Sequence, residues 1–329
     1  MRNTLSWSTA TVRSIQNLTP TIRQFDLEPE TAIAPWSPGS HLDVSVRLGA
    51  GPVGRAETRS YSLVGEPIPD AYRIAVKLVA ASRGGSRYMW SLQPGDRLAI
   101  SEPKNLFELQ WQAPAHLLIA GGIGITPIVG MALALARRSS SLRMLYAARS
   151  SGELAFAEPL RLALGERLVT FAGESGQRLD IAAGLAGLPP DGLAYVCGPM
   201  ALQDAVRAEW SSSGRPLANL RYETFGNSGR YAPEAFWVRI PSQNAEFTVP
   251  ADRTLLDVLN EAGIETLSDC RRGECGLCAV DVQSVTGRLD HRDVFLSDHE
   301  KEHDQRMCAC VSRVVGGGVV LDSAYRPDA

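Results

Sequence analysis

The 329-residue chain has no surplus of basic residues. Its 33 Lys and Arg stand against 36 Asp and Glu, a net charge of −3, so the electrostatic footprint of a nucleic-acid binder is missing. The first ten residues, MRNTLSWSTA, lack the apolar core of a secretory leader, and the expected location is the cytoplasm. The uncharged stretch from Leu117 to Ala136 has the length of a bilayer crossing. Gly121, Gly122, Gly124 and Pro127 break it into strand, turn and helix, so no membrane span is expected. A GxGxxG dinucleotide fingerprint is also absent. Cysteine is scarce outside one segment: five of the six lie between Cys270 and Cys310, and Cys197 stands alone. Such crowding suits a cluster or metal site rather than a disulfide framework. What remains is ordinary globular composition, 44% hydrophobic and 21% charged, in a chain long enough for two or three cores.

The first hundred residues read as short strands between Gly and Pro turns. His41–Leu48 alternates, with Leu42, Val44, Val46 and Leu48 on one face; Tyr72–Leu78 alternates too, and Asp96–Ile100 follows Pro94-Gly95. A small antiparallel barrel or sandwich is expected. From Ala115 the pattern becomes strand, turn and helix: His116–Ala120 into a glycine turn and the helix Ile128–Arg138, the strand Leu142–Ala147, then Leu193–Val196 into the helix Ala201–Trp210. This is the pattern of a parallel sheet with helices on both faces. The polar stretch Gly226–Pro233 is the linker candidate. Beyond it, Phe236–Ile240 and Glu246–Val249 form a hairpin, and Thr254–Gly263 a short amphipathic helix stopped by Gly263. The expected boundaries are 1–112, 113–227, a linker at 228–235, and a small α+β module at 236–329.

Cys270-x4-Cys275-x2-Cys278, with a fourth cysteine some thirty residues on, is the strongest signal. A [2Fe–2S] cluster takes four thiolates, and this is the plant-type ferredoxin spacing. Gly273 and Gly276 permit the tight wrap that aims amide N–H groups at the sulfurs. A structural zinc site is the rival, although zinc pairs its cysteines in two separate short-spaced couples. The fourth ligand is Cys308 or Cys310; the run Cys310-Val-Ser-Arg resembles the segment after the last ferredoxin ligand and favours Cys310.

Arg59-Ser60-Tyr61-Ser62 offers what a flavin needs: an aromatic over the ring, a hydroxyl near N5, a cation near the phosphate. The bland alternative is an edge strand covering a barrel. Downstream, Arg83-Gly84-Gly85-Ser86 leads into a helical stretch and can form an anion nest, or merely a glycine turn with a Ser cap. Gly121-Gly122-Ile123-Gly124-Ile125-Thr126-Pro127 joins strand to helix, where backbone can approach a pyrophosphate. Cys197-Gly198-Pro199 ends another strand; the lone cysteine reads as a small buried residue rather than a nucleophile.

RSYSL, GGS, GGIGITP, CGP and CRRGECGLC, in that order across nearly the whole chain, resemble the phthalate dioxygenase reductase family, which includes vanillate demethylase reductases. The resemblance implies a multidomain chain: an antiparallel β-barrel binding FMN, an α/β NAD domain of ferredoxin–NADP reductase type, and a C-terminal plant-type [2Fe–2S] ferredoxin. It implies that Arg59, Ser60, Tyr61 and Ser62 serve FMN, with Lys77, the backbone of Ala75 and Val76, and Gly84, Gly85 and Ser86 at its phosphate. Gly122, Gly124 and Thr126 fall on the NAD loop, Arg149 and Ser150 near the adenosine ribose, and Cys197, Gly198 and Pro199 beside the nicotinamide. Glu223 and Phe225 fall near the flavin, and Cys270, Cys275, Cys278 and Cys310 on the iron. His291-Arg292-Asp293 reads as structural.

NADH yields two electrons together, a cluster accepts one at a time, and a flavin must stand between them. No general acid or triad is needed; Ser62, Cys197 and Phe225 are the residues expected beside the reacting rings. The expected recipient is a Rieske-type oxygenase component in a transient complex, docked at the cluster edge near Arg271, Arg272 and Glu274. A cytochrome or diiron monooxygenase is the alternative acceptor. A metal-stabilised binding module without redox function is the non-enzyme alternative.

Overall fold

The computed structural model describes residues 6–48, 55–79, 84–138, 140–176, 178–225 and 229–322. Arg83 of the glycine turn, residues 226–228 at the start of the expected linker, and the ends 1–5 and 323–329 lie outside the described residues.

The first strands are β1 (Trp7–Asn17), β2 (Ile22–Pro29), β3 (Ser40–Leu48), β4 (Arg55–Ser62) and β5 (Tyr72–Lys77); helix α1 (Gly85–Ser91), β6 (Arg97–Ser101) and β7 (Lys104–Asn105) follow. They make one seven-stranded sheet, ordered β4-β3-β6-β1-β2-β5 with β7 on β3. Its pairings are antiparallel. Alternation along β3 drives Leu42, Val44 and Val46 into a core with Phe25, Ile74, Met89 and Ile100, while Leu48 packs half-buried at its rim. The sheet curls on itself: Leu63, one residue past β4, bridges Ile74 of β5, and the Val64 amide donates to the Arg73 carbonyl at 2.9 Å. The two edges therefore meet beside Ser62, the closure of a small barrel.

The second sheet contains β8 (His116–Gly121), β9 (Leu142–Ala148), β10 (Leu168–Ala172), β11 (Leu193–Cys197) and β12 (Leu220–Glu223), ordered β10-β9-β8-β11-β12. The first four in that order pair in parallel, so the carboxyl ends of β8, β9 and β11 share one edge. Between the strands run α2 (Ile125–Arg137), α3 (Ala157–Leu164), α4 (Ile181–Ala186) and α5 (Met200–Ser212). Helix α2 begins three residues earlier than its apolar periodicity suggests. A 3-10 turn at Gly122–Gly124 tightens straight into it, and Pro127 falls in the first turn, where its missing N–H costs nothing.

The barrel and this sheet belong to one compact unit, Met1–Tyr222. Within it the Tyr195 hydroxyl donates to the Glu108 carbonyl (3.1 Å) and accepts from the Gln110 amide (2.8 Å). Gly130 of α2 lies so close to the barrel that a Cβ there would sit 2.6 Å from the Gly65 carbonyl oxygen.

The other unit, Glu223–Ala329, holds β13 (Phe236–Ile240), β14 (Ala245–Val249), α6 (Leu255–Glu261), β15 (Ala279–Asp290), α7 (Asp298–Glu302), β16 (Arg306–Cys308) and β17 (Arg313–Asp322). Its sheet runs β14-β13-β17-β15-β16, parallel between β13 and β17 and antiparallel elsewhere. Thr254 caps α6 by accepting from the Asp257 amide, and Gly263, at φ +76°, ends it. Leu255, Leu256 and Leu259 of α6 pack on Val238, Ile240, Val314 and Val319. No described helix is long and apolar enough to cross a membrane.

Candidate cofactor sites

The cysteine loop joins α6 to β15. Arg271 (φ +52°), Gly273 (+78°) and Gly276 (+73°) adopt left-handed backbone. Gly273 is irreplaceable for a second reason: a Cβ would lie 2.7 Å from Val311 Cγ2 and 2.9 Å from Asp293 Cα. Three amides converge on Cys270 Sγ, donated by Arg272 (3.4 Å), Glu274 (3.4 Å) and Cys275 (3.3 Å). That is the environment a cluster thiolate requires, so the loop fits a [2Fe–2S] ligand set.

The two later cysteines are both buried and close to Cys278, whose thiol is held well below its ordinary pKa first by their hydrogen bonds. They differ in their other neighbours. Cys310 is approached by the Gly273 amide and faces Cys270 as well as Cys278. Cys308, opposite Ala279 in the ladder, has its thiol pushed up first by its hydrogen bond to Cys278 and by burial, and then by the Asp293 carboxylate; the first two causes push Cys310 up as well. The His291-Arg292-Asp293 run is structural in its contacts. Asp293 accepts from the Leu296 amide (2.9 Å) and the Ser312 hydroxyl (3.3 Å), and Arg292 donates to Asp290 (2.7 Å) and to the Tyr231 carbonyl (3.0 Å).

The expected charged docking face needs correction. Arg271 is exposed and pairs with Asp257, but Arg272 is only 7% exposed. Its guanidinium donates to Glu223 (2.8 Å) and lies 3.0 Å from Glu274, and Glu274 also accepts from the Thr224 amide (2.9 Å). Burial lifts the Glu223 carboxyl to about 7; Arg272 pulls it down and Glu274 pushes it up. One buried guanidinium thus lies between a buried carboxylate and a half-buried one, a network that spacing did not announce.

In the barrel, alternation along β4 puts Arg59 and Tyr61 on one face and Ser60 and Ser62 on the other. The Ser60 hydroxyl donates to Asp43 (2.6 Å). Ser62 Oγ is buried and has no hydrogen-bond partner, an orphaned hydroxyl at the barrel closure that fits a missing polar ring edge. Arg59 pairs with Glu57 (2.6 Å) and crosses the glycine turn so closely that a Cβ on Gly85 would lie 2.9 Å from its Nε. A bare Gly84-Gly85 backbone beside a guanidinium fits a phosphate. Ser86 is not the helix cap: Gly84 is, and Ser86 Oγ accepts from the Val79 amide (3.2 Å). Ala75 and Val76 lie in β5, with the Val76 carbonyl taken by the Trp90 indole (3.0 Å). Lys77 is engaged by Glu153 (3.0 Å), which also accepts from Thr21 Oγ1 (2.6 Å). That link joins β5 to the turn after β9, and nothing in the residue pattern pointed to it.

At the carboxyl edge of the parallel sheet, the Gly121–Gly124 turn and Cys197-Gly198-Pro199 pack backbone on backbone. A Cβ on Gly124 would lie 2.3 Å from the Cys197 carbonyl oxygen, and one on Gly198 3.1 Å from Gly121 Cα. Gly122, at φ +54°, faces open space. Thr126 turns its hydroxyl onto the Ile123 carbonyl (3.0 Å). Arg149 and Ser150 follow β9 on the same edge, with the Arg149 carbonyl accepting from the Glu174 amide (2.9 Å). Cys197 is fully buried, Pro199 exposed and Phe225 half-buried. Glycine backbone crowded at the switch between adjacent parallel strands fits a dinucleotide.

A closed barrel with a bare phosphate turn, a dinucleotide edge and a ferredoxin loop define a flavin- and nicotinamide-dependent electron-transfer reductase carrying its own iron–sulfur module. Comparison with known proteins agrees. The 2Fe-2S iron-sulfur cluster binding domain family matches residues 238–315. The chain is 38% identical to the heme-dependent oxidative N-demethylase beta subunit of Ectopseudomonas mendocina, over 94% of this chain and 97% of that one. It is 38% identical to vanillate O-demethylase oxidoreductase of Pseudomonas sp. strain HR199, over 88% and 91%. The solved structure of phthalate dioxygenase reductase superposes with TM-score 0.75 at 31% identity, covering 96% of this chain and 98% of that one. The chain belongs to the phthalate dioxygenase reductase family of flavin- and [2Fe–2S]-containing reductases.

Proposed function

We propose that the chain is the reductase component of a two-component Rieske-type oxygenase that hydroxylates or demethylates a small aromatic or similar substrate. It takes electrons from NADH and delivers them through FMN and the [2Fe–2S] cluster in the cytoplasm. The observation that carries this reading is the match over most of both chains to vanillate O-demethylase oxidoreductase and to phthalate dioxygenase reductase. When bound, the flavin converts a two-electron donor into single electrons for the cluster.

The chain's own residues bind and orient. Arg59 and the backbone of Gly84, Gly85 and Ser86 hold the FMN phosphate, Tyr61 covers the ring, and the backbone of Ala75–Lys77 lines it. The Ser62 hydroxyl donates near N5. Gly122, Gly124 and Thr126 hold the NADH pyrophosphate, and Arg149 and Ser150 its adenosine ribose. Cys197, Gly198 and Pro199 flank the nicotinamide, and Glu223 and Phe225 close the flavin side. Cys270, Cys275, Cys278 and Cys310 hold the iron. Lys77 and Arg59 are each paired with a carboxylate, Glu153 and Glu57, so stabilisation of negative charge at the flavin falls chiefly to backbone amides.

The Ectopseudomonas mendocina relative favours a second reading, in which the same path feeds a haem-containing acceptor. An anaerobic visible spectrum before and after stoichiometric NADH tests the shared path: flavin and iron–sulfur bands should both bleach. Mixing the reduced protein with an oxidised Rieske oxygenase or a haem N-demethylase then separates the acceptors. A colourless protein that stays indifferent to NADH after cofactor reconstitution refutes both readings.

A further inference from the structure

The second unit opens at Glu223, and its first two residues are not a free tether. Glu223 and Thr224 are 1% and 0% exposed. Both are held by residues of the cysteine loop: Arg272 donates to the Glu223 carboxylate, and Glu274 accepts the Thr224 amide. The same two loop residues point their own amides at Cys270 Sγ, and Gly273 between them is locked by its positive φ and by Val311 and Asp293. Residues 272 and 274 therefore face two ways, with backbone on a cluster ligand and side chains on the segment leading to Phe225.

We propose that Arg272 and Glu274 are positioning residues for internal electron transfer: the Glu223–Arg272–Glu274 network fastens the entry segment 223–225 to the cluster loop and sets the separation between that segment and the cluster. The inference rests on the proposed electron path and adds residues to it that hold neither flavin nor iron. An ordinary pair of surface charges could not do this, because water would let it drift. A buried guanidinium that donates to Glu223 and sits 3.0 Å from Glu274 holds the two carboxylates about one fixed charge, away from the water that would loosen it.

The test uses the full-length holoprotein with Arg272→Lys, which keeps the charge and loses the fork, and Glu274→Gln, which keeps the shape and loses the charge. Hydrogen exchange should speed up at residues 223–225 in both variants, with or without the cluster. In stopped flow, flavin reduction by NADH should stay within about twofold of wild type while cluster reduction slows by about tenfold, the scale of a small misplacement. Cluster midpoint potential and electron paramagnetic resonance signal should be unchanged in Arg272→Lys, which conserves charge; Glu274→Gln, which removes a charge beside the cluster loop, is read by exchange and kinetics alone. Unchanged exchange at 223–225, or an unchanged cluster-reduction rate, overturns the proposal. A shifted potential with unchanged exchange also overturns it, by making Arg272 a tuner of the cluster instead. If the wild-type cluster accepts no electrons from NADH, the electron path itself fails, while the exchange result still decides whether the brace exists.

Discussion

Gly124→Ala is the sharpest probe of the dinucleotide edge, because its cost can be worked from distances. The added Cβ would lie 2.3 Å from the Cys197 carbonyl oxygen, 2.5 Å from its carbonyl carbon and 2.7 Å from the Gly198 nitrogen. Ordinary contact begins at 3.4 Å, so the Cys197–Gly198 backbone must retreat by about 1.1 Å (3.4 − 2.3) from α2. No flexible side chain can absorb that shift, since all three obstacles are main chain of the last residue of β11 and the turn after it. Overpacking of this kind costs about 1–3 kcal/mol. For a unit of this size it should lower the unfolding midpoint by about 2–12 °C in calorimetry. Because the glycine turn and the CGP turn move apart, NADH-driven flavin bleaching should slow and require more NADH, while iron–sulfur absorbance is preserved in the other unit. Gly198→Ala should be milder, since its nearest obstacle is a Leu202 methyl at 2.9 Å, which can rotate away. If Gly124→Ala melts with wild type, or Gly198→Ala is the worse of the two, the packing argument is wrong.

Three further outcomes are expected. Ser62→Ala removes an unpartnered buried hydroxyl, so it should stabilise the flavin-free protein by about 1 kcal/mol in denaturant titration. It should nevertheless slow flavin reduction in stopped flow by about tenfold or more. Cys310→Ser should lose the cluster's visible absorbance and its iron, whereas Cys308→Ser, beside Asp293, should retain both; the reverse pattern assigns the fourth ligand to Cys308. Asp26 tests linkage: burial raises its pKa, but bidentate Arg73 (2.7 and 2.9 Å) and Ser14 outweigh that and hold it below 3.8. A depressed carboxylate stabilises the fold above its unfolded value and loses that contribution as pH falls through the folded value. Asp26→Asn should therefore cost about 1–2 kcal/mol at pH 7, a gap to wild type that closes only below about pH 4.

Much of the barrel and nucleotide sheet was readable because period-2 alternation in β3 and β5, and glycine turns after β8 and β11, are local signals. The ferredoxin sheet was less so. β17 contains Gly316-Gly317-Gly318, residues poor in strand propensity, yet it is a ten-residue strand beside β13 and β15. Two of those glycines answer to distant neighbours. A Cβ on Gly317 would lie 2.1 Å from the Thr286 carbonyl oxygen, and one on Gly318 2.2 Å from the Trp237 ring. Close approach of this kind leaves no mark in the strand's own residues. The Lys77–Glu153 link is 76 positions apart in the chain and invisible for the same reason.

The cysteine loop shows where a local reading succeeds and where it stops. Spacing and glycines single out Cys270, Cys275 and Cys278 as candidate ligands, because a cluster loop constrains neighbours within nine residues of one another. Of the charges between them expected at an accessible edge, Arg271 is exposed and Arg272 is not. Arg271 and Arg272 are adjacent and chemically identical, yet one is exposed beside Asp257 and the other buried between two carboxylates. The difference lies in the backbone: left-handed conformations at Arg271 and Gly273 reverse the chain on either side of Arg272 and turn its side chain inward. A left-handed arginine is itself costly, about 1–2 kcal/mol. It persists because it delivers the next guanidinium to Glu223, so the strain in the loop and the buried ion network are two halves of one arrangement.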